Sequence, residues 1–523
     1  MRRGVALVCA AALVAIGVGA PAASASAAPN DRTRPNILFV LADDMAKSDL
    51  SVMPHVRALL ADQGTSFSEA FVSVSLCCPS RTTILRGQYS HNTGVETNGG
   101  ENGGFETAHR NGVERSTIGT WLHEAGYRTG LFGKYLNGYP DGASETFVPP
   151  GWDEFDSPTK GGNPYRQYDY NLNENGRIVH FGDAPADYGT DVYSHLASDF
   201  MTRAGRDHKP FFAFLPVYAP HNPATPPPGE GNIFPGAQAP RVPSYNEASI
   251  SDKPSWLRDT PLMTPAIKAR VDALYRHRIQ SLQAVDAQVA DLTATLQRNG
   301  QLDDTYIVFA SDNGYHLGEH RLPAGKQTAY DEDVHVPFIV RGPGVPKGRT
   351  QNELVGNVDW APTFADLAGV KPPEFVDGRS LVPLLRDGPA PEHWRDAFLL
   401  EHWREILKPG QAEARRGSPL EPPDPDQAID ETAPSRGPKV PGMHSAAVHD
   451  PAPEFHAVRT PRYLYVEYVT GAKELYDLQR DPYELHNIAT TARPSLLDAL
   501  HRRVDALKIC RAETCRQAEA VPA

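Results

Sequence analysis

Two adjacent cysteines, Cys77 and Cys78, stand in the stretch "VSLCCPSRTTILRGQYSHNTG" and are followed directly by Pro-Ser-Arg. The chain has only 5 cysteines in 523 residues, and a disulfide framework would separate them and pair each with a distant partner. An adjacent pair therefore indicates that some local function requires a thiol at this position. The alternatives are a vicinal disulfide and two buried structural thiols.

Polar residues end two of the predicted strands. The apolar run "RPNILFVLADD" closes on Asp43 and Asp44, and "DDTYIVFASDNG" closes on Asp312 and Asn313. Each pair taken alone is typical of a turn or a helix N-cap. Together, at the ends of two buried strands, they predict an all-oxygen site for a hard cation, Ca²⁺ or Mg²⁺. Because a thiolate is a soft ligand, Cys77 fits such a site better as an oxygen-containing derivative.

The sequence around these residues alternates between predicted helices and predicted buried strands. Helices are expected in "MPHVRALLADQG", in "STIGTWLHEAG" and over residues 264–299, and further strands in "YRTGLFGKYL", "KPFFAFLPVYAPH" and "VHVPFIVRGPG". Such alternation is typical of a predominantly parallel sheet with helices on both faces, which binds ligands at the carboxyl ends of its strands. Lys134 and His221 also follow predicted strands. We therefore expect them to converge with the acids on one edge of the sheet.

Composition and the N-terminus exclude some classes of protein. A formal net charge of −13 argues against non-specific nucleic-acid binding. A basic head, an apolar run over residues 5–20 and the small residues of "PAASASAAPN" predict a secretory signal peptide at residues 1–28. No second long apolar stretch follows, so we expect an exported protein without a membrane anchor. In an oxidising compartment, Cys510 and Cys515 of "ICRAETC" are expected to form a small disulfide.

The pattern of the sequence changes after "DGRSLVPLLRDG", and we place a domain boundary near residue 389. Residues 29–388 then form the main domain, and residues 389–523 a smaller α+β domain. Its antiparallel sheet is expected to contain "RYLYVEY" and "KELYDL", and its closing helix "PSLLDALHRRVDAL". The stretch of about 407–455 is rich in Pro, Asp, Glu and Arg without periodicity, which predicts a long loop or a partly disordered insertion.

The stretch "CCPSRTTILRG" resembles the signature C-x-P-S-R-x-x-x-L-x-G of the formylglycine-dependent sulfatases. The resemblance continues in order along nearly the whole mature chain, through "LADD", "GKY", "APHNP", "SDNG" and "ELYDLQRDPYELHNIA". It implies an alkaline-phosphatase-like α/β fold, in which helices flank a large, mostly parallel sheet, with a smaller C-terminal domain. Within the family, "CCPSR", "GKYLN" and "YNEASISDKPSWL" are most similar to the N-acetylglucosamine-6-sulfatase branch.

The resemblance implies a modified residue and a set of metal ligands. In this family a separate formylglycine-generating enzyme oxidises the first cysteine of the signature to an aldehyde. That cysteine is Cys77 here, and Cys78 occupies a variable position. The implied ligands of the cation, Ca²⁺ or Mg²⁺, are the modified Cys77, Asp43, Asp44, Asp312 and Asn313.

The resemblance also implies catalytic roles for four cationic or titratable residues. Arg81 would hold the nucleophile and the metal-binding carboxylates. Lys134 and Lys326 would stabilise charge on the sulfate oxygens, and His221 would protonate the leaving oxygen of the substrate. Two positions after the first lysine, many arylsulfatases have a histidine where this chain has Leu136.

Other polar residues near these motifs have no assigned role. The sequence leaves open whether Asn137, His316, Glu401 or His402 contacts the substrate. His316 and His320 of "GYHLGEH" are close enough in sequence to the second metal motif to reach the site, but we expect them to be exposed loop histidines.

Three functions agree with these residues. The leading one is an exported sulfatase that hydrolyses sulfate monoesters, either of the N-acetylglucosamine-6-sulfate type or aryl sulfates, through a formylglycine hydrate on a divalent cation. The second is a phosphonate or phosphate ester hydrolase of the same superfamily. The third is a catalytically silent protein that binds sulfated glycans and keeps Cys77 as a thiol. The full cysteine signature favours an enzyme, because a binding protein needs no modifiable cysteine.

Overall fold

The computed structural model describes most of the chain after the predicted signal peptide. The described residues are residue 1, residue 4, and residues 34–392, 394–408 and 452–520. Most of the predicted signal peptide and most of the predicted insertion therefore lie outside the described residues. Within these ranges, no helix combines the length and the apolar character needed to cross a bilayer.

Sixteen strands lie in the described part of the chain. They are β1 (Asn36–Ala42), β2 (Thr65–Phe67), β3 (Ala70–Phe71), β4 (Arg128–Phe132), β5 (Glu154–Asn163), β6 (Tyr168–Glu174), β7 (Arg177–Phe181), β8 (Phe211–Pro216), β9 (Thr305–Ser311), β10 (Phe338–Arg341), β11 (Arg349–Gln351), β12 (Val355–Gly356), β13 (Phe398–His402), β14 (Phe455–Arg459), β15 (Tyr463–Tyr468) and β16 (Lys473–Asp477). The main sheet has ten of them, in the order β11-β2-β10-β9-β1-β8-β4-β5-β6-β7. Its centre, from β9 to β5, is parallel, and antiparallel strands flank it on both sides. This arrangement confirms the predicted, mostly parallel sheet.

The α-helices of the described residues cover both faces of this sheet. They are α1 (Pro54–Val56), α2 (Cys77–Arg86), α3 (Ser90–Thr93), α4 (Gly104–Arg110), α5 (Ile118–Glu124), α6 (Gly189–Arg206), α7 (Ser255–Arg258), α8 (Pro265–Arg298), α9 (Asp331–Val334), α10 (Trp360–Leu367), α11 (Pro494–Leu507) and α12 (Glu513–Glu519). Side chains alternate along a strand, so Ile37, Phe39 and Leu41 of β1 pack with α2, α5 and α10. Leu38 and Val40 pack with α6 and α8 on the other face.

Of the local predictions, one helix is confirmed, one is shorter than expected, and one part of the sheet was not predicted. The long helix predicted over 264–299 is confirmed by α8. The helix predicted in "MPHVRALLADQG" is shorter than expected, because α1 gives way at Arg57–Ala61 to a wider π-helical turn. The antiparallel extension β5-β6-β7 was not predicted. β5 lacks an alternating apolar pattern, and its pairing with β6 shifts register between Pro158 and Gly162.

The C-terminal part forms a second, antiparallel sheet in the order β13-β14-β15-β16, as predicted for its last two strands. The predicted closing helix is α11, and the Cys510–Cys515 disulfide is present. Phe398 of β13 and Val458 of β14 belong to the same hydrophobic cluster as the α2 face of the main sheet. The two sheets thus share one apolar cluster.

Candidate active site

Four adjacent parallel strands, β9-β1-β8-β4, bring the predicted site residues to one edge of the main sheet. Asp43 and Asp44 follow β1 directly, and Asp312 follows β9. Lys134 follows β4 after one glycine, and His221 lies in the loop after β8. Because parallel strands end at the same edge, residues far apart in sequence meet there, as the strand pattern predicted.

Cys77 is the first residue of helix α2, which places its side chain at this edge of the sheet. Cys77 and Arg81 share one helix face because residues four apart are neighbours on a helix. Cys77 Sγ lies 3.3 Å from Asp43 Oδ1 and 3.0 Å from Lys326 Nζ. Arg81 Nη1 donates to the backbone carbonyl of Lys134 at 2.8 Å, which joins the helix to the loop after β4.

Cys78 has a different environment from its neighbour. It belongs to the hydrophobic cluster beneath α2, and its backbone amide donates to Asn98 Oδ1 at 2.8 Å. The two adjacent cysteines are not bonded to each other, so the structure does not support a vicinal disulfide. The helix therefore directs Cys77 into the charged cluster and Cys78 into the core.

Three buried ion pairs hold the carboxylates at the strand ends. They are Lys134 Nζ with Asp43 Oδ2 at 2.7 Å, Lys326 Nζ with Asp44 Oδ1 at 2.6 Å, and Arg81 Nε with Asp312 Oδ2 at 2.7 Å. None of the six side chains is more than 3% exposed. Buried charges are tolerated only when they are paired and hydrogen-bonded, and here three anions face three cations. We call these six side chains with Cys77, His221 and Asn313 the strand-end cluster.

The cluster shifts the protonation of its members in opposite directions. Burial alone would raise the pKa of Asp43, but the charges of Lys134 and Arg81 outweigh it and hold that pKa well below its ordinary range. Burial and the neighbouring Asp43 carboxylate raise the pKa of Asp312 to about 6. The same two causes raise the pKa of the Cys77 thiol well above its ordinary value. These shifts favour the carboxylate form of Asp43 and the thiol form of an unmodified Cys77 near neutral pH.

The oxygen atoms of the cluster fit a hard cation. Asp44 Oδ2 and Asn313 Oδ1 are buried and accept no hydrogen bond from the described residues. Ligand atoms of Asp43, Asp44, Cys77 and His221 lie within 4.8 Å of one another. Carboxylate and amide oxygens are the ligands that Ca²⁺ and Mg²⁺ prefer, and buried polar atoms without hydrogen bonds need some other partner. The oxygen atoms present thus fit a hard divalent cation.

His221 is oriented by the backbone of its own loop. Its Nδ1 lies 2.8 Å from the carbonyl oxygen of Asn222, and a carbonyl only accepts, so Nδ1 carries a proton. Nε2 lies 3.5 Å from Asp44 Oδ2. The imidazole packs against the ring of Tyr165, over which the Lys134 ammonium also lies at 4.8 Å. The second nitrogen of His221 is thereby directed towards the cluster.

Arg278 supports the site but was not predicted. Its fully buried guanidinium donates to the backbone carbonyls of Asp44 and Pro220, and it stacks over Tyr315 at 4.2 Å. It therefore ties the end of β1 to the loop that carries His221. A signal existed in the sequence, because an arginine stands among the apolar positions of the predicted long helix.

The prediction that His316 and His320 are exposed is wrong. They are 2% and 0% exposed, because each imidazole pairs with a buried carboxylate. His316 Nδ1 lies 2.9 Å from Asp333 Oδ1, and Asp333 also accepts from the amide and the hydroxyl of Thr328. These contacts fix the loop that carries Lys326.

The other three residues with open roles are also buried. Asn137 is 1% exposed, and its Nδ2 lies 3.4 Å from the hydroxyl of Tyr165, which borders the cluster. Glu401 is 1% exposed and lies 2.7 Å from His91 Nδ1. His402, at the end of β13, packs against the ring of Phe455. Glu401 and His402 thus make contacts within the protein, whereas Asn137 adjoins the cluster.

Comparison with protein families decides which family this arrangement represents. The family model of the sulfatases matches residues 35–370, more than half of the chain. The chain belongs to the sulfatase family. The motifs that resemble those of sulfatases therefore occur in a chain that the sulfatase family model also matches.

Relatives extend the likeness beyond the family model. The N-acetylglucosamine-6-sulfatase of Capra hircus is 34% identical over 509 residues, 94% of this sulfatase and 86% of the goat protein. The extracellular sulfatase SULF-1 homolog of Drosophila melanogaster is 38% identical over 377 residues, 70% of this chain. The match spans only 33% of that protein, and 52% of the Caenorhabditis elegans counterpart.

Solved structures share the fold. One is a protein in complex with its substrate D-glucosamine-2-N,6-O-disulfate, with a TM-score of 0.69, 22% identity, and coverage of 93% of this chain and 99% of that one. Another is the phosphonate monoester hydrolase of Agrobacterium radiobacter, with a TM-score of 0.64, 22% identity, and coverage of 91% and 96%. These likenesses confirm the predicted fold class. They do not choose between sulfate and phosphonate esters.

Proposed function

We propose that this protein is an exported sulfatase that hydrolyses sulfate monoesters, with 6-O-sulfated N-acetylglucosamine units or aryl sulfates as substrates. The observation that carries the proposal is the position of Cys77. Its Sγ lies against the carboxylate of Asp43 and the ammonium of Lys326 at the carboxyl ends of the strands. The relatives that are N-acetylglucosamine-6-sulfatases support the choice of sugar.

The thiol of Cys77 is unsuited to act as the nucleophile itself. Burial and the Asp43 carboxylate raise the pKa of Cys77, so little thiolate forms near neutral pH. We infer that Cys77 is a precursor, which a formylglycine-generating enzyme oxidises to the aldehyde during maturation. The hydrated aldehyde supplies one hydroxyl to attack sulfur and a second whose deprotonation releases sulfate.

The strand-end cluster would hold one divalent cation, Ca²⁺ or Mg²⁺. Its proposed ligands are oxygens of Asp43, Asp44, Asp312, Asn313 and the modified Cys77. The cation supplies Lewis acidity, which lowers the pKa of a neighbouring hydroxyl and offsets anionic charge. Because three carboxylates already face three side-chain cations, a divalent cation gives the cluster a positive excess. That excess suits an anionic sulfate ester.

The remaining residues orient the substrate and move one proton. Lys134 and Lys326 stabilise charge on the sulfate oxygens, which strengthens as the ester bond breaks. Arg81 holds Asp312 in place, with its Nε at 2.7 Å from the carboxylate. His221 donates a proton from Nε2 to the leaving sugar or aryl oxygen, since its Nδ1–H is already held by the carbonyl of Asn222.

A pair of single substitutions tests this assignment. Cys77→Ala should abolish sulfate release from N-acetylglucosamine-6-sulfate and from 4-nitrophenyl sulfate, whereas Cys78→Ala should keep most of it. Cys78 is the matched control because it is buried in the core beside the site. Equal losses in both variants, with both folded by circular dichroism, would refute Cys77 as the single modified residue.

The second candidate function is a phosphonate or phosphate ester hydrolase with the same modified residue. The shared fold of the Agrobacterium radiobacter enzyme supports keeping it. Comparing kcat/KM on 4-nitrophenyl sulfate and on an aryl phosphonate monoester separates the two. A sulfatase should prefer the sulfate, and a preference for the phosphonate would reverse the proposal.

A further inference from the structure

A second group of metal-binding side chains lies outside the strand-end cluster. One ligand atom from each of His320, Glu332 and Glu484 lies within 4.8 Å of the other two. His320 precedes α9, Glu332 lies in α9, and Glu484 follows β16 of the C-terminal sheet. None of the three belongs to the machinery proposed above, and they approach one another from two separate parts of the chain.

In each of the three side chains, one polar atom is held by a contact with a residue outside the group. His320 Nδ1 lies 2.8 Å from Glu247 Oε2, which directs Nε2 away from that carboxylate. Glu332 Oε1 accepts from the hydroxyl of Ser244 at 3.1 Å. Glu484 Oε2 accepts from the backbone amide of Asp331 at 3.2 Å. A histidine that gives one nitrogen to a carboxylate and offers the other is the usual arrangement around a protein-bound metal.

The other atom of each side chain has no hydrogen bond from the described residues. These buried atoms are His320 Nε2, Glu332 Oε2 and Glu484 Oε1. His320 is 0% and Glu484 1% exposed. Three such atoms from three neighbouring side chains are unexpected, because a buried polar atom without a partner is costly. A cation between them would satisfy all three at once.

The charges around the group also favour a cation. The cations near the group are Lys253, Arg321 and Arg459, and the acids that outnumber them are Glu247, Glu319, Asp331, Glu332, Asp333 and Glu484.

We propose that His320, Glu332 and Glu484 bind one divalent transition-metal cation, of the Zn²⁺ type. One imidazole nitrogen with two carboxylate oxygens suits Zn²⁺, whereas Ca²⁺ and Mg²⁺ prefer oxygen ligands alone. Such a cation would fasten the C-terminal part, through Glu484, to the segment of 320–332. Lys326 of the strand-end cluster lies in that segment, so the metal would fix the loop that carries it.

Zinc binding to the whole protein tests the proposal. The protein is stripped with a chelator, refilled with Zn²⁺ in the presence of excess Ca²⁺, and freed of loose metal by gel filtration. Elemental analysis should find one Zn²⁺ per chain. X-ray absorption at the zinc edge should show one imidazole and carboxylate oxygens at about 2.0–2.2 Å. No retained zinc, or zinc bound to sulfur or to several imidazoles, would overturn the proposal.

Substitutions locate the metal. His320→Gln and Glu484→Gln should each lower the retained zinc from one per chain towards zero. His486→Gln is the matched control, because His486 is an exposed histidine two residues from Glu484. Retention of one zinc by the first two variants would refute the site. If either fails to fold, the absorption spectrum of the unaltered protein decides by itself. A shared proton between the two glutamates, the competing explanation, predicts no zinc in any sample.

Discussion

Replacing Lys326 by alanine removes one of the two ammonium groups of the strand-end cluster. Its Nζ lies 2.6 Å from Asp44 Oδ1 and 3.0 Å from Cys77 Sγ. The side chain is 0% exposed, so bulk water does not reach it. Two unit charges about 4 Å apart interact by about 4 kcal/mol at the effective dielectric of about 20 typical of proteins.

This charge–charge energy is comparable to the loss of transition-state stabilisation expected when Lys326 is removed. Removing one preorganised donor at a developing anion costs about 10²–10³ in kcat, or about 2.7–4 kcal/mol. We therefore expect Lys326→Ala to lower kcat/KM for a sulfate ester by about 10²–10³. The assay measures kcat and KM separately with 4-nitrophenyl sulfate at saturating Ca²⁺. The control is Lys347→Ala, because Lys347 is exposed.

Two further measurements exclude trivial causes. Circular dichroism shows whether Lys326→Ala is folded, and mass spectrometry shows whether Cys77 is converted to the same extent as in the unaltered protein. A loss below about tenfold, or about 1.4 kcal/mol, in a folded and fully converted variant would refute the electrostatic role of Lys326.

Three other predictions concern buried polar contacts. Arg278→Met should lower kcat/KM on 4-nitrophenyl sulfate by about 10–100-fold, because supporting contacts of metal sites have effects of that size; an unchanged value contradicts it. The side chain of Arg395 is fully buried and bidentate on Asp359 at 2.6 and 2.8 Å. Replacing Arg395 by methionine should therefore lower the free energy of unfolding in urea by about 3–5 kcal/mol, and a loss below about 1 kcal/mol contradicts that. Burial lowers the pKa of His91, but Glu401 outweighs it and raises that pKa from 6.5 to about 8. This contact should thus add about 2 kcal/mol of stability below pH 6.5, lost as the pH rises through about 8. His91→Gln should make the free energy of unfolding in urea less dependent on pH over that range, and an unaltered pH dependence would contradict the assignment.

The sequence was most informative where a strand pattern and a motif coincided. β1, β8 and β9 are continuous apolar runs, and parallel strands place their following residues at one edge. The meeting of Asp43, His221 and Asp312 was therefore predictable without coordinates. Lys326 was assigned to the site by the family resemblance alone, because it lies in a loop whose path depends on contacts such as that of His316 with Asp333.

Contacts between distant segments set the limits of prediction. Arg278 lies on a helix whose apolar pattern was recognised, but its two carbonyl partners come from other elements. His320 was predicted to be exposed because nothing local shows that Glu247 and Glu484 come to meet it. The fold of the parallel centre thus followed from local patterns, whereas burial of single polar residues depended on tertiary contacts.

The central claim is that Cys77 becomes the catalytic aldehyde. Mass spectrometry of the tryptic peptide of residues 58–81, from protein made with a formylglycine-generating enzyme present, tests it most directly. The account predicts a peptide about 18 Da lighter than the reduced thiol form, with fragmentation that places the loss on Cys77 rather than on Cys78. An intact thiol at Cys77, or a bond between the two cysteines, in that sample would contradict it.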